Sequence, residues 1–260
     1  MPLKGSAFLA LWNDIEPQRR TEYDAWHTFE HVPERVGIPG FIRGRRYVAR
    51  ERSEQRYFTL YELGGLEALE GVDYVDVVER PTDWSANMRP SFRNVIRHPC
   101  TTVVSLGQGV GGSISTLRFG IASTGQKVDV DTARAVLGPL LETVQITAAH
   151  LGQEVAKAPL PSMERLGWGQ ATENTMQHVL MIEGLDRQEL EAAQPRLAEL
   201  VRQQLNAIGD IAFVAFDLAF IVEKSGLPGP TTSRQPACRD LQSRWKGERT
   251  EEVRTAGEER

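Results

Sequence analysis

The sequence predicts an α+β fold in which two four-stranded halves, each β-α-β-β-α-β, pack sheet against sheet. Two observations predict it. The same order of strand-like and helix-like segments occurs on either side of a glycine-rich break, Gly107 to Gly112 (GQGVGG). The terminal run Ala212 to Glu223 is apolar on both faces, with Val214, Phe216, Leu218, Phe220 and Val222 on one side and Phe213, Ala215, Ala219 and Ile221 on the other. A strand of that kind is covered on both faces. A sheet with both helices on one face leaves the other face bare, and two bare faces bury each other.

The elements follow in order. Ala7 to Trp12 is a short apolar run, a buried strand. Pro17 to Val32 is helical, and Pro33, which lacks an N–H and restricts Val32, should end or kink it. Gly37 to Gly40 is a turn. Phe41 to Arg50 and Arg56 to Leu63 alternate as strands. Gly64-Gly65 breaks the chain before a helix over Leu66 to Glu79, spaced by Leu66, Leu69, Val72 and Val75 and stopped at Pro81. A strand from Ser91 to Leu106 is interrupted at Pro99. In the second half Ser113 to Phe119 is a strand, and Asp131 to Leu141 is a helix with Asp129 or Asp131 at its N-cap. Val144 to Ala156 is a strand, Pro159 to Thr175 a loop, and His178 to Glu183 a strand. Asp186 to Ile208 is a helix that kinks or restarts at Pro195. From Ser225 onward Gly, Pro, Ser, Thr, Arg and Glu dominate, so residues 225–260 read as a disordered tail, with Leu241 and Trp245 as anchors for a short helix at most.

Composition excludes several classes. A net charge of -5 gives no electrostatic case for nucleic acid or an anionic membrane. No apolar run reaches the roughly 18 residues of a membrane span, and the N-terminus carries no signal-peptide pattern. Cys100 and Cys238 are far apart and read as free thiols, which fits a reducing cytoplasm. GQGVGG does not open a helix, so it is no dinucleotide fingerprint.

The chemistry-bearing stretch is Trp26-His27-Thr28-Phe29-Glu30-His31-Val32-Pro33-Glu34-Arg35. On a helix, His27 and His31 differ by only about 40° and share a face. Asp24 shares it too. Imidazole titrates near neutrality and both takes and gives a proton, with Asp24 or Glu30 available to orient a ring. The competing reading is a solvated face of Glu-His and Glu-Arg pairs, each worth about 0.2–0.5 kcal/mol. A metal site would need a third ligand from His150, His178, Asp217 or Glu62. The order H-T-F-E-H is not the metalloprotease H-E-x-x-H, so no metal is expected. His98 reads as a surface or structural residue, and His150 as a satisfied core histidine. Tyr57, Thr59 and Tyr61 share one side of their strand, with Phe58 and Leu60 on the other side under the helices. With Trp12 and Asn13 they suit an aromatic pocket. Asp217 would be an isolated carboxylate in a buried strand, with Arg118 as its partner. Arg43, Arg45 and Arg46 suit either an anionic substrate or an edge strand protected by charge.

The tandem β-α-β-β-α-β order with W-H-x-x-E-H-x-P-E-R on its first helix resembles the dimeric α/β-barrel superfamily. Within it, the nearest likeness is to the EthD-like branch and to a tandem-repeat group. The element order covers roughly residues 5–223. The resemblance implies two ferredoxin-like βαββαβ repeats packed as a pseudo-dimeric α/β barrel, residues 1–106 and 107–224, in place of two chains. It implies suspicion of His31 and, at helical spacing, His27. The second half has no histidine on its first helix (DTARAVLGPLL), so a histidine site should occur once per chain. The superfamily includes muconolactone-type isomerases, polyketide cyclases, cofactor-free monooxygenases and haem-binding branches, so fold does not choose the reaction.

The function expected from these readings is a cofactor-independent enzyme, an isomerase, cyclase or lyase, acting on a small aromatic or cyclic molecule. His31 would be the principal acid or base and His27 its partner. Glu30 or Asp24 would orient them, and Arg35 would bind an anion. Tyr57, Tyr61, Trp12, Asn13 and Asp217 would contact substrate. One alternative is an oxygen-using or haem-binding monooxygenase-type protein with a histidine as axial ligand. A non-catalytic small-molecule binding protein is another. A homodimer is allowed but not required.

Overall fold

The computed structural model describes residues 3–121, 128–143, 145–155, 157–168, 177–228 and 234–245. Eight strands form one closed antiparallel barrel in the order β1-β3-β2-β8-β5-β7-β6-β4. They are β1 (Ala7–Ile15), β2 (Phe41–Val48), β3 (Tyr57–Leu63), β4 (Phe92–Gly107), β5 (Ser113–Ile121), β6 (Ile146–Glu154), β7 (His178–Gly184) and β8 (Ala207–Glu223). One arc runs β4-β1-β3-β2 and the other β8-β5-β7-β6. The two arcs join through the longest strands. β4 pairs with β1 through Thr101 and with β6 from Cys100 onward. β8 pairs with β5 through Asp217 and with β2 from there to Glu223. That double membership gives these two strands their length, and both differ from the expectation within or at the start of the strand. β4 continues through Pro99, and β8 begins at Ala207, ahead of Ala212. Closure removes the edges that would attract another strand.

Helices cover the outside of both arcs. They are α1 (Arg20–Trp26), α2 (Val32–Gly37), α3 (Val72–Glu79), α4 (Asp83–Met88), α5 (Val130–Leu137), α6 (Pro161–Arg165), α7 (Arg187–Ala192) and α8 (Gln194–Gln204). Caps sit where short polar side chains supply acceptors. Thr82 accepts from the Ser85 N–H, Asp129 from Thr132 and Asp186 from Gln188 and Glu189. Proline opens α8 in its first turn, so the helix expected over Asp186 to Ile208 restarts there. α4 was not expected. α6 lies inside the segment expected to be a loop, whose end, 169–175, falls outside the described residues, as do Val144 and Ala156.

Pro33 does not end the first helix. A π-helical turn, His27–His31, joins α1 to α2, and the Val32 N–H donates to the His27 carbonyl. Proline in a helix cannot donate and its ring crowds the carbonyl four residues back, here Phe29. The wider turn makes room. The Cys238 thiol then donates to the freed Phe29 carbonyl at 3.3 Å. Gly44 lets α2 lie close on β2, because a Cβ there would meet Val32 at 2.7 Å and Val36 at 2.8 Å.

Part of the tail is ordered, which corrects the expectation of disorder over 234–245. Residues 239–245 are helical, and Leu241 and Trp245 pack on the cluster of Tyr23, Trp26, Trp84 and Met88. Residues 229–233 and 246–260 lie outside the described residues. Both cysteines are free thiols, and no helix of the described residues is long and apolar enough to cross a membrane.

The barrel interior is filled, not hollow. Phe8, Trp12, Tyr47, Phe58, Met181 and Phe216 belong to one buried cluster drawn from both arcs. Beside it lies a polar network. Arg45 donates to Glu62 at 2.6 Å and to Glu183 at 2.6 Å, all three fully buried. Glu183 also accepts from His150 at 2.8 Å and from the Gly111 N–H at 2.7 Å. Burial alone would raise the Glu183 pKa, but the His150 hydrogen bond and the Arg45 charge outweigh it and hold it at about 2. Arg43 joins Glu62 at 2.7 Å. The arginines of β2 therefore protect no edge: two lock the barrel, and the third, Arg46, pairs with Asp24 outside it.

Candidate active site

The cavity lies between the outer face of the first arc and its helices. Its volume is about 90 Å³, several times what one water needs. Leu9, Leu11 and Asn13 of β1 with Thr59 and Tyr61 of β3 border it from the sheet. Trp26, His27, His31 and Arg35 border it from the first helix. Tyr74, Arg89, Phe92 and Arg97 continue the wall, and Ser162, Met163 and Trp168 reach over from the second half. Trp168 packs on Phe92 with ring centroids 5.1 Å apart. The Ser162 N–H donates to Glu79 at 2.9 Å, which ties α6 to α3.

The two imidazoles are the centre of an aromatic stack. His27 stands 4.9 Å from Tyr23 and 5.2 Å from His31, and His31 stands 4.4 Å from Trp26. Burial, then the charges of Arg46 and Arg35, push the His27 pKa well below its usual 6.5. Burial, then Arg35, does the same to His31, with His27 and Arg89 adding to it. Both rings are therefore neutral at pH 7. Their Nδ1 atoms are buried with no hydrogen-bond partner among the described residues, as are Thr59 Oγ1 and Tyr61 Oη. Burial pushes the Tyr61 hydroxyl pKa far up, so it stays protonated. Buried polar atoms without partners cost about 1–3 kcal/mol each. Four of them around one cavity mark a place where a ligand or water completes the bonding.

The structure gathers His27, His31, Arg35, Trp12, Asn13 and Tyr61 around this cavity and sends the other expected residues elsewhere. Asp24 is paired with Arg46. Glu30 accepts from the Thr82 hydroxyl at 2.6 Å and from the Cys238 N–H at 2.7 Å. Neither carboxylate orients an imidazole. Tyr57 packs 4.5 Å from Tyr23, under the Arg46 guanidinium, and does not border the cavity. Asp217 is half exposed, 3.1 Å from Arg187, and also accepts from Ser113. Arg118 instead lies 4.9 Å over the Trp12 ring. The Trp12 indole belongs to the barrel core, 4.9 Å from Phe58 and donating to Thr116. Asn13 accepts from the Tyr23 hydroxyl at 3.1 Å. The faces of β3 are the reverse of those expected: Thr59 and Tyr61 border the cavity under the helices, while Phe58 and Leu60 belong to the barrel core. His98, expected as a surface or structural residue, is buried, with its Nδ1 3.0 Å from Glu154. His150, held by Ser105 at 3.0 Å and Glu183, is the satisfied core histidine expected.

Sequence reasoning missed Arg89, Arg97 and Tyr74 as cavity residues. The lone arginines and the tyrosine carried no local signal. Among the described residues no group of three or more His, Cys, Asp or Glu stands together as a metal site. The imidazoles that one alternative would use as a haem's axial ligand lie stacked between Tyr23 and Trp26.

No family profile matches the chain, and no curated protein matches its sequence. Solved structures do share its fold. An anthrone oxidase-like protein superposes with a TM-score of 0.59 at 12% identity, covering 88% of this chain and 96% of its own. A provisionally named monooxygenase of Fusobacterium nucleatum subsp. nucleatum gives 0.54 at 11%, covering 86% and 98%. Another, from Lactobacillus acidophilus, gives 0.51 at 9%, covering 85% and 97%. The chain thus has the fold of the dimeric α/β barrels. These findings correct the expected isomerase, cyclase or lyase. These three structures carry oxidase and monooxygenase names, and the carboxylates expected to orient the imidazoles, Asp24 and Glu30, are engaged elsewhere.

Proposed function

We propose that the chain is an oxygen-using, monooxygenase-type enzyme that oxidises a small aromatic molecule in the cavity beside its first helix. The observation that carries the proposal is the convergence of two neutral, unpartnered imidazole Nδ1 atoms with the Tyr61 hydroxyl and the Arg35 guanidinium on one largely apolar cavity. Neutral imidazole is the form that accepts a proton. His31 or His27 removes one from an activated methylene of the substrate, and Arg35 stabilises the resulting enolate oxygen. The electron-rich carbanion passes an electron to dioxygen, and the radical pair recombines as a hydroperoxide. Loss of water leaves a carbonyl. In sum, one methylene and one dioxygen become one carbonyl and one water. The anthrone oxidase-like and monooxygenase neighbours support this chemistry.

We further propose that the two arcs are tandem ferredoxin-like units standing in for two subunits, and that the W-H-x-x-E-H-x-P-E-R helix places the chain near the EthD-like branch. The matching strand order of the arcs supports the first part.

The test is oxygen uptake by purified protein with a panel of anthrones and polyhydroxylated naphthalenes, with oxygen-18 traced from dioxygen into the product carbonyl. Uptake above the uncatalysed rate is expected, falling about 10²–10⁴-fold in the His27→Ala, His31→Ala protein. No uptake across the panel, or full turnover in the folded double variant, overturns the proposal.

A further inference from the structure

Among the described residues the cavity is bordered by three guanidiniums, Arg35, Arg89 and Arg97, and by no carboxylate. Their partners differ. Arg35 is answered by Glu34, whose Oε2 accepts at 3.0 Å. Arg89 donates to a neutral acceptor, the Val77 carbonyl at 3.4 Å. Arg97 donates to the Tyr74 hydroxyl at 3.3 Å, and its buried Nε has no partner. Neither Arg89 nor Arg97 forms an ion pair among the described residues. The carboxylates within electrostatic reach of Arg89 are engaged elsewhere: Glu34 with Arg35 and Arg234, and Glu79 with Ser162 and Arg165. Burial, then repulsion from Arg35, lowers the Arg89 pKa to about 10. Partly buried cations facing a cavity without counter-charge gain most from an anion brought in by the ligand.

We propose that Arg89 and Arg97 form an anion subsite and that the substrate is an aromatic carboxylate. The inference rests on the cavity being a substrate site, as proposed above. Arg35 is left for the oxygen that gains charge during reaction. The other two hold a charge the substrate carries throughout. Arg97 lies opposite Leu11 across the β1–β4 ladder, and Arg89 follows α4. The subsite is therefore built from the sheet and the helical layer together, on the wall that Tyr74 shares.

The probes are 2-naphthoate and 2-naphthamide, which match in shape and differ in charge, titrated calorimetrically into the whole protein at pH 7. The acid is expected to bind at least about tenfold tighter than the amide, as charge-assisted hydrogen bonds imply. In Arg89→Met and Arg97→Met the acid loses about tenfold or more and the amide changes less than about twofold. Raising NaCl from about 50 mM to about 500 mM in the unaltered protein weakens the acid alone, and this arm requires no variant to fold. Equal affinity for acid and amide, binding of neither, or acid affinity kept in both variants overturns the subsite. The readout involves no turnover. Charge discrimination without oxygen uptake leaves the subsite standing and removes the oxygenase reading; oxygen uptake without discrimination does the reverse.

Discussion

The two helix-covered faces of the barrel are built alike and filled differently. Under the first helices, β1 and β3 present Leu9, Leu11, Asn13, Thr59 and Tyr61, and the helix opposite presents two histidines and an arginine around a cavity. Under the second set, the same register brings up Leu117, Phe119, Leu180 and Ile182 against Ala133, Leu137, Leu197 and Val201, one continuous apolar cluster. The first face leaves a cavity among its polar atoms, and the second closes over its own, Ser115 Oγ and the two ring nitrogens of His178, which also lack partners among the described residues. A buried polar group without a partner lowers stability. Stability then rests with the second face and with the charged lock inside the barrel.

The largest effect should come from that lock. Glu183→Gln leaves Arg45 short of one carboxylate in a fully buried site, and breaking such a pair costs about 3–5 kcal/mol. Chemical denaturation checks this. Glu183 has its pKa held at about 2 against a usual 4.5, so its contribution is present above pH 4.5 and is lost as pH falls from there toward 2. The variant should lose that portion of the acid sensitivity.

Next comes the packed face. Leu180→Ala should destabilise by about 2–5 kcal/mol. If Leu180→Ala proves as mild as a substitution at the cavity, the contrast between the faces fails.

A smaller effect belongs to the imidazoles. Their folded pKa values lie well below 6.5, so the unfolded chain binds protons first as pH falls. Stability should drop below pH 6.5, with a slope of up to about 1.4 kcal/mol per pH unit for each ring. Thermal melts of His27→Gln, His31→Gln protein between pH 7.5 and 5 should show a flatter profile than the unaltered chain.

The smallest effect is expected at the cavity hydroxyls. Thr59→Val and Tyr61→Phe remove hydroxyls that no protein group among the described residues bonds and that water in the cavity can satisfy, so the unfolding free energy should change by less than about 1 kcal/mol. A loss of several kcal/mol at either position would mean that the hydroxyls are structural.

Much of the fold was legible because it is written in local pattern. The order of the strands and most helices, the cap at Asp129 or Asp131 and the break at Pro195 follow from nearby residues. The histidine pair and Arg35 were legible for the same reason, since one helical segment carries all three. Their electrostatics were not. Asp24 and Glu30 sit in sequence beside the imidazoles, yet their partners are Arg46, Thr82 and the main chain at Cys238, which come from other elements. The inside and outside of β3 were also hidden. Both faces of a barrel strand are buried, so alternation separates the faces without saying which looks inward.

The amino-acid order by itself determined the succession of the eight strands, the two-sided burial of the terminal strand and the helix that carries His27 and His31, because periodicity and capping act within a few residues. Only the tertiary structure decided that the barrel would be filled, that the cavity would lie outside it, and that Arg89, Arg97 and Tyr74 would join the histidines. Those outcomes depend on which distant segments close over one another, and side-chain volume and charge are balanced only after they meet.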